Sequence, residues 1–187
     1  SDSDPLWALT SCLSTVDFSM NNLFPCQAAG HESRYGDGND TFVYGVLNTN
    51  AYLMWQDADA VLVDPPDDTA EVEKVMAENG LTLKALLCTH LHFDHVTGCA
   101  AWQKKTGLPV FAGQQNIDNR EVLCDGAKNF DQTIMDNVQS FSHIFWGLVL
   151  HHFPSQKILL SGDTLFHHQI GFTDIMPLQS DEALRAA

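Results

Sequence analysis

Three imidazoles and one carboxylate fall within six residues of the run Thr89-His90-Leu91-His92-Phe93-Asp94-His95, directly after the apolar stretch Leu86-Leu87-Cys88. Burying such groups without partners costs on the order of 2–7 kcal/mol each on transfer scales, so the pattern calls for something that binds and neutralises them. His90 and His92 are two apart and point the same way from an extended backbone. Asp94 and His95 follow where the strand must already be turning. One short loop can thus offer two neighbouring metal sites, with imidazole suited to zinc, iron or manganese and carboxylate to harder ions. The competing reading is a His-rich surface loop with no ligand.

The segment Leu86–Gly98 resembles the metal-binding signature of the metallo-β-lactamase superfamily, and further pieces match in order. Asn48-Thr49-Asn50-Ala51-Tyr52-Leu53 resembles an early strand of that family, and Val61-Leu62-Val63-Asp64-Pro65 resembles its strand ending in aspartate. Ser161-Gly162-Asp163-Thr164-Leu165-Phe166, followed by Ile170-Gly171-Phe172-Thr173-Asp174, resembles the bridging-aspartate segment of the glyoxalase-II-like (hydroxyacylglutathione hydrolase-like) branch. The resemblance covers about residues 42–180. It implies an α/β fold, an αββα sandwich of two mixed sheets, incomplete at the C-terminus.

By that resemblance His90, His92 and a third histidine hold one metal, Asp94 and His95 hold a second, and Asp163 bridges them. The third histidine is expected at His143, although Phe141-Ser142-His143-Ile144-Phe145-Trp146-Gly147 departs from the family's usual Pro-Gly-His-Thr-x-Gly. His151 and His152 are rival candidates, but their place in the middle of a strand suits a core or surface role better. Family members carry one more histidine beyond a further helix and strand, and this sequence lacks it. Water, or His167 or His168, would fill that gap. Asp64 is expected to orient a ligand, or the ligand loop, from behind. Pro66 stands where the family has glycine, and Phe172 where the branch often has arginine.

The chemistry that follows is metal-dependent hydrolysis. A metal-bound water acidified towards a pKa of about 7 would supply hydroxide, with Asp94 assisting at the leaving group. Zinc, as one or two ions, is the expected cofactor, with iron or manganese as alternatives. The resemblance favours a thioester substrate. A mononuclear iron persulfide dioxygenase using His90, His143 and Asp163, a lactone or β-lactam hydrolase, and a truncated non-catalytic metal-binding fold stay open.

The elements that must position these groups are legible in part. Residues 1–40 are rich in turn formers and poorly readable, so the domain is placed at 41–187. Strands are expected at Thr41–Leu47, Ala51–Trp55 and Ala60–Val63, with a turn at Gln56–Asp59. Asp68 and Glu71 have capping-box spacing for a helix stopped by Asn79-Gly80. Leu81–Cys88 reads as a strand that delivers the histidines. Gly98–Lys105 reads as a helix closed by Gly107, and Leu108–Ala112 as a strand. Residues 113–137 are ambiguous. Trp146–Phe153 and Lys157–Leu160 are expected as a hairpin around Pro154-Ser155-Gln156.

Composition narrows the function classes. With 187 residues, one domain with a sizeable core is the prior. Nine basic against twenty-four acidic residues leave a formal charge of −15, which repels phosphate backbones and disfavours nucleic acid. No apolar run reaches the length of a membrane span. Nothing at Ser1–Pro5 reads as a secretory signal, and the five cysteines lack framework spacing. The expectation is therefore a cytoplasmic protein with reduced thiols and a small-molecule substrate, its oligomeric state open.

Overall fold

A computed structural model of the chain describes residues 36–118, 126–130, 134, 138–142, 148–166 and 169–170. Strands β1 (Gly38–Tyr44), β2 (Thr49–Gln56), β3 (Asp59–Val63), β4 (Thr82–Leu87) and β5 (Val110–Phe111) form one sheet in that spatial order. The first three make an antiparallel meander; β3–β4 and β4–β5 are parallel pairs. Parallel neighbours need crossovers, and helices α1 (Ala70–Asn79) and α3 (Cys99–Thr106) fill them. Short helices α2 (Phe93–Val96) and α4 (Gln114–Asp118) flank α3 in sequence. A second, antiparallel sheet contains β6 (Gln139–Ser142), β7 (Val149–Phe153) and β8 (Ile158–Leu160), and β9 (Leu165–Phe166) pairs with β10 (Gln169–Ile170).

Strand alternation sorts the core into two layers. Ala60, Leu62, Leu86 and Cys88 pack with Val72 of α1 and Trp102 of α3. Val61, Val63, Ala85 and Leu87 point the other way, towards Phe153 and Leu160 of the second sheet. Both faces are thus buried in β3 from Ala60 onwards and in β4 from Ala85 onwards, which explains why Ala60–Val63 and Ala85–Leu87 read as continuous apolar runs rather than alternating ones. Each valine, leucine and phenylalanine among them contributes about 1.5–3 kcal/mol on full burial. The Gln156 amide, in the β7–β8 turn, donates to the carbonyls of Gly38 and Trp55, tying the second sheet to the first.

Several expected boundaries shift. The first strand ends at Tyr44 rather than Leu47, because Gly45 (φ 67°) and Asn48 (φ 56°) turn the chain through left-handed backbone. Val46 and Leu47 consequently sit in an exposed turn. No reciprocal capping box forms at α1: the cap position is Thr69, and Asp68 Oδ1 instead accepts from the Ala70 amide at 3.0 Å. The helix stops as expected at Gly80, which is left-handed at φ 66°. The strand expected over Leu108–Ala112 is confined to Val110–Phe111. The β7–β8 hairpin turns at residues 154–157 as the Pro-Ser-Gln signal implied. Among the described residues, no helix is long and apolar enough to cross a membrane.

Candidate metal centre

Parallel strands end on the same edge of their sheet, so the segments after β3 and β4 emerge side by side. Asp64 follows β3 and Cys88-Thr89-His90 follow β4, joined by the Asp64 amide donating to Leu87 O at 2.8 Å. Asp64 is buried and left-handed at φ 50°, a conformation aspartate tolerates better than most residues. Its carboxylate turns back under the histidine loop. Oδ1 accepts the Thr89 amide at 2.7 Å; Oδ2 accepts the Thr89 hydroxyl at 2.7 Å and lies 2.8 Å from His95 Nδ1.

These contacts determine which imidazole nitrogens face outwards. An ionised carboxylate only accepts, so His95 Nδ1 carries a proton and Nε2 is the atom left for a ligand. The Thr89 hydroxyl gives its single proton to Asp64, so at 3.1 Å from His90 Nδ1 it acts as acceptor. That puts the His90 proton on Nδ1 as well and leaves Nε2 with a lone pair. One aspartate therefore orients two imidazoles, directly at His95 and through Thr89 at His90.

The outward-facing atoms converge. Asp163 sits in a 3-10 turn (Gly162–Thr164) after β8. Its Oδ2 lies 3.5 Å from His90 Nε2 and 3.7 Å from His92 Nδ1, and its Oδ1 lies 3.4 Å from His95 Nε2. Asp94 Oδ2 is 3.4 Å from the same His95 nitrogen and accepts from the Thr49 hydroxyl at 2.8 Å. The Tyr44 hydroxyl, 2.8 Å from Asp94 O and 3.1 Å from Asp64 O, ties the β1–β2 hairpin to both acidic residues. Gly162 allows the close approach: it is left-handed at φ 50°, and a Cβ there would come within 2.6 Å of Thr89 Oγ1.

The donor set fits a metal. His90 Nε2 is buried and has no hydrogen-bond partner among the described residues, a costly state unless a ligand occupies its lone pair. Separations of 3.4–3.7 Å are long for hydrogen bonds. They match two donors bound to one tetrahedral ion, since donors about 2.1 Å from such an ion stand about 3.4 Å from each other. His90, His95 and Asp163 each offer an atom within 4.8 Å of the others.

Charge in the cluster is set by burial and by the neighbouring carboxylates and imidazoles. Burial pushes His90 down from its ordinary value, keeping the imidazole neutral as a ligand must be. Burial would lower His95 too, but the Asp64 charge, the neighbouring Asp163 carboxylate and the hydrogen bond to Asp64 outweigh it and raise the group to about 10. For Asp163, burial opposes ionisation, and the three histidines overcome it, holding the carboxyl well below the usual carboxylate range. A metal bound at His95 Nε2 would compete with a proton for that atom.

Of the residues singled out in the sequence, His90, His92, Asp94, His95 and Asp163 come together, with Asp64 behind them. His143, His167 and His168 lie outside the described residues. His151 is in the core as expected: fully buried, with Nδ1 3.0 Å from Ser140 Oγ and Nε2 3.3 Å from Cys88 O. His152 is partly exposed on the opposite side of β7. Sequence reasoning missed the roles of Thr89, Tyr44 and Thr49. Thr89 was visible inside the motif; nothing marked the other two, which flank a hairpin turn forty residues or more from Asp94.

Residues 44–119 match the family model of the metallo-beta-lactamase superfamily. The probable metallo-hydrolase YqgX of Bacillus subtilis is 26% identical over 155 residues, covering 71% of this chain and 73% of that protein. A hydroxyacylglutathione hydrolase of Pseudomonas entomophila is 35% identical over 113 residues, covering 56% of this chain; the alignment spans only 42% of that enzyme. The crystal structure of TTHA1623 in a di-iron-bound form superposes with a TM-score of 0.64 at 25% identity, covering 78% of this chain and 82% of that one. Order of motifs, sheet topology and relatives agree: the chain has the metallo-β-lactamase fold and is similar in sequence to that superfamily over residues 44–119.

Proposed function

We propose that the chain is a metallohydrolase that cleaves a small acyl thioester. The observation that carries this reading is the placement of Asp163, one oxygen towards His90 and His92 and the other towards His95, beside Asp94. A carboxylate so placed can share its charge between two ions, zinc or iron by the donor types. His90, His92 and His143 would hold one, and Asp94, His95 and Asp163 the other. Such ions, when bound, polarise a carbonyl and acidify water.

The protein's own contribution is orientation. Asp64 and Thr89 present Nε2 of both buried histidines, and the Thr49 hydroxyl donates to Asp94 Oδ2 and fixes that carboxylate beside His95. No serine or cysteine nucleophile is needed. Similarity to hydroxyacylglutathione hydrolases supports a thioester over a lactone or β-lactam. The test is kcat/KM of zinc- and iron-loaded protein on a glutathione thioester, a simpler acyl thioester, a lactone and a cephalosporin. Either thioester should exceed the other two classes by about 100-fold or more, a difference of about 3 kcal/mol in transition-state stabilisation. Preference for the lactone or the cephalosporin overturns the assignment.

A further inference from the structure

Cys88 and Cys99 take no part in the donor set, yet they bracket it. Cys88 follows β4, Cys99 opens α3, and His90, His92, Asp94 and His95 all lie between them. Their sulfurs are 3.5 Å apart, and both residues are buried in the helix-side core with Val96 and Trp102. Backbone contacts hold each end in place. The Cys88 amide donates to Phe111 O at 2.9 Å, and the Cys88 carbonyl lies 3.3 Å from His151 Nε2. Beside Cys99, the Gly98 amide donates to Pro65 O, and a Cβ on Gly98 would stand 2.0 Å from Pro66 O, so the start of α3 is pressed against the residues after β3. The Trp102 indole, donating to Pro66 O at 2.9 Å, clamps the same helix. About 1.5 Å of closure separates the two sulfurs from disulfide length.

We propose that Cys88 and Cys99 form a redox-active thiol pair whose disulfide closes a ring around the metal-ligand loop and slows metal exchange. The apolar surroundings favour a small hydroperoxide over a bulky disulfide as oxidant. One thiol attacks the peroxide, becoming a sulfenic acid and releasing an alcohol or water. The second thiol then attacks that sulfur, the S–S bond forms, and water leaves. Two thiols and one hydroperoxide thus give one disulfide, one alcohol (or water) and one water. Metal leaves a loop site by stepwise release of ligands, which requires the loop to open. A covalent ring of residues 88–99 restricts that opening by removing chain freedom from the open states.

The experiment uses the full chain loaded with zinc, treated with hydrogen peroxide, alkylated and mapped by mass spectrometry without reduction. A linked Cys88–Cys99 peptide pair, two hydrogens lighter than its thiol form and separated by dithiothreitol, is expected. Extraction of zinc by a chromophoric chelator should become at least about threefold slower after oxidation and recover on reduction, because loop opening is restricted. In Cys99→Ser, and in Cys88→Ala should the first variant misfold, peroxide should leave the extraction rate unchanged. Both thiols remaining alkylatable, or pairing instead with Cys12, Cys26 or Cys124, would overturn the proposal. So would a linked pair with unchanged zinc extraction. Mapping the bond requires no metal, so failure to load zinc would count against the proposed function without obscuring whether the bond forms.

Discussion

Replacing Asp64 with asparagine isolates the orienting role of that carboxylate. The change preserves size, and asparagine accepts the left-handed φ of 50° as readily as aspartate, so the backbone is not disturbed. What changes is polarity. Asp64 receives three protons, from the Thr89 amide, the Thr89 hydroxyl and His95 Nδ1, at 2.7, 2.7 and 2.8 Å. If the asparagine oxygen keeps the Thr89 amide, its NH2 faces the other two donors. The Thr89 hydroxyl must then donate to His90 Nδ1, and His95 Nδ1 must accept. Both imidazoles are driven to carry their proton on Nε2, the atom that faces Asp163 and would bind a metal. If the amide group is reversed, its NH2 opposes the buried Thr89 N–H, at a cost of about 1–3 kcal/mol to the fold. The first arrangement spares the fold and is the one expected. Loss of a partner behind a ligating histidine typically weakens metal binding about 10–100-fold. With two histidines affected, Asp64→Asn should lie at the upper end, near 100-fold, or about 3 kcal/mol. Competitive zinc titration against a chromophoric chelator measures this, with circular dichroism to confirm folding. A folded Asp64→Asn protein binding zinc within about threefold of the parent would refute the tautomer argument, because the expected penalty is at least tenfold.

Three further outcomes follow from the same geometry. Asp163→Ala should abolish hydrolysis more completely than His167→Ala or His168→Ala in parallel rate assays, since the carboxylate faces both donor groups; equal losses would mean that a histidine has joined the ligand set. Gly162→Ala should lower stability by more than about 1 kcal/mol in thermal unfolding, because it puts a side chain on left-handed backbone and into Thr89 Oγ1. His151 makes stability depend on pH: burial depresses it to about 4, from an ordinary 6.5. Above 6.5 neither state binds the proton. Between 6.5 and 4 only the unfolded chain does, so stability falls as pH falls, by about 2 kcal/mol from pH 6.5 to 5. Denaturant melts of the parent and His151→Gln should diverge by that amount over this range, and parallel curves would contradict the assignment.

The sequence disclosed the donors more fully than the scaffold. His90, His92, Asp94 and His95 were legible because metal chemistry demands particular residue types at close spacing. Asp64 was legible through the resemblance of Val61–Pro65 to the family's strand ending in aspartate, and Asp163 also because it follows an apolar strand and a glycine, a poor place for a carboxylate with no partner. Helix ends were readable where glycine must be left-handed, as at Gly80 and Gly107. The premature end of β1 was not, since Thr41–Leu47 is β-branched, aromatic or aliphatic apart from Gly45, and a lone glycine in such a run does not show that the chain turns through Gly45 and Asn48. Tyr44 and Thr49 escaped for a related reason. Their hydroxyls act on Asp94 across a long sequence separation, and no local pattern encodes such a contact. His151 was separable from the ligands because it sits in mid-strand, where alternation points it into the core.

Metal content tests the central claim most directly. The full chain, refolded with zinc or with iron and freed of excess ion, should retain at least one equivalent by elemental mass spectrometry, and His92→Ala should retain markedly less. Fewer than about 0.2 equivalents with either ion, where binding by such donors is normally tight, or an undiminished content in His92→Ala, would mean that the histidine loop is not a metal centre.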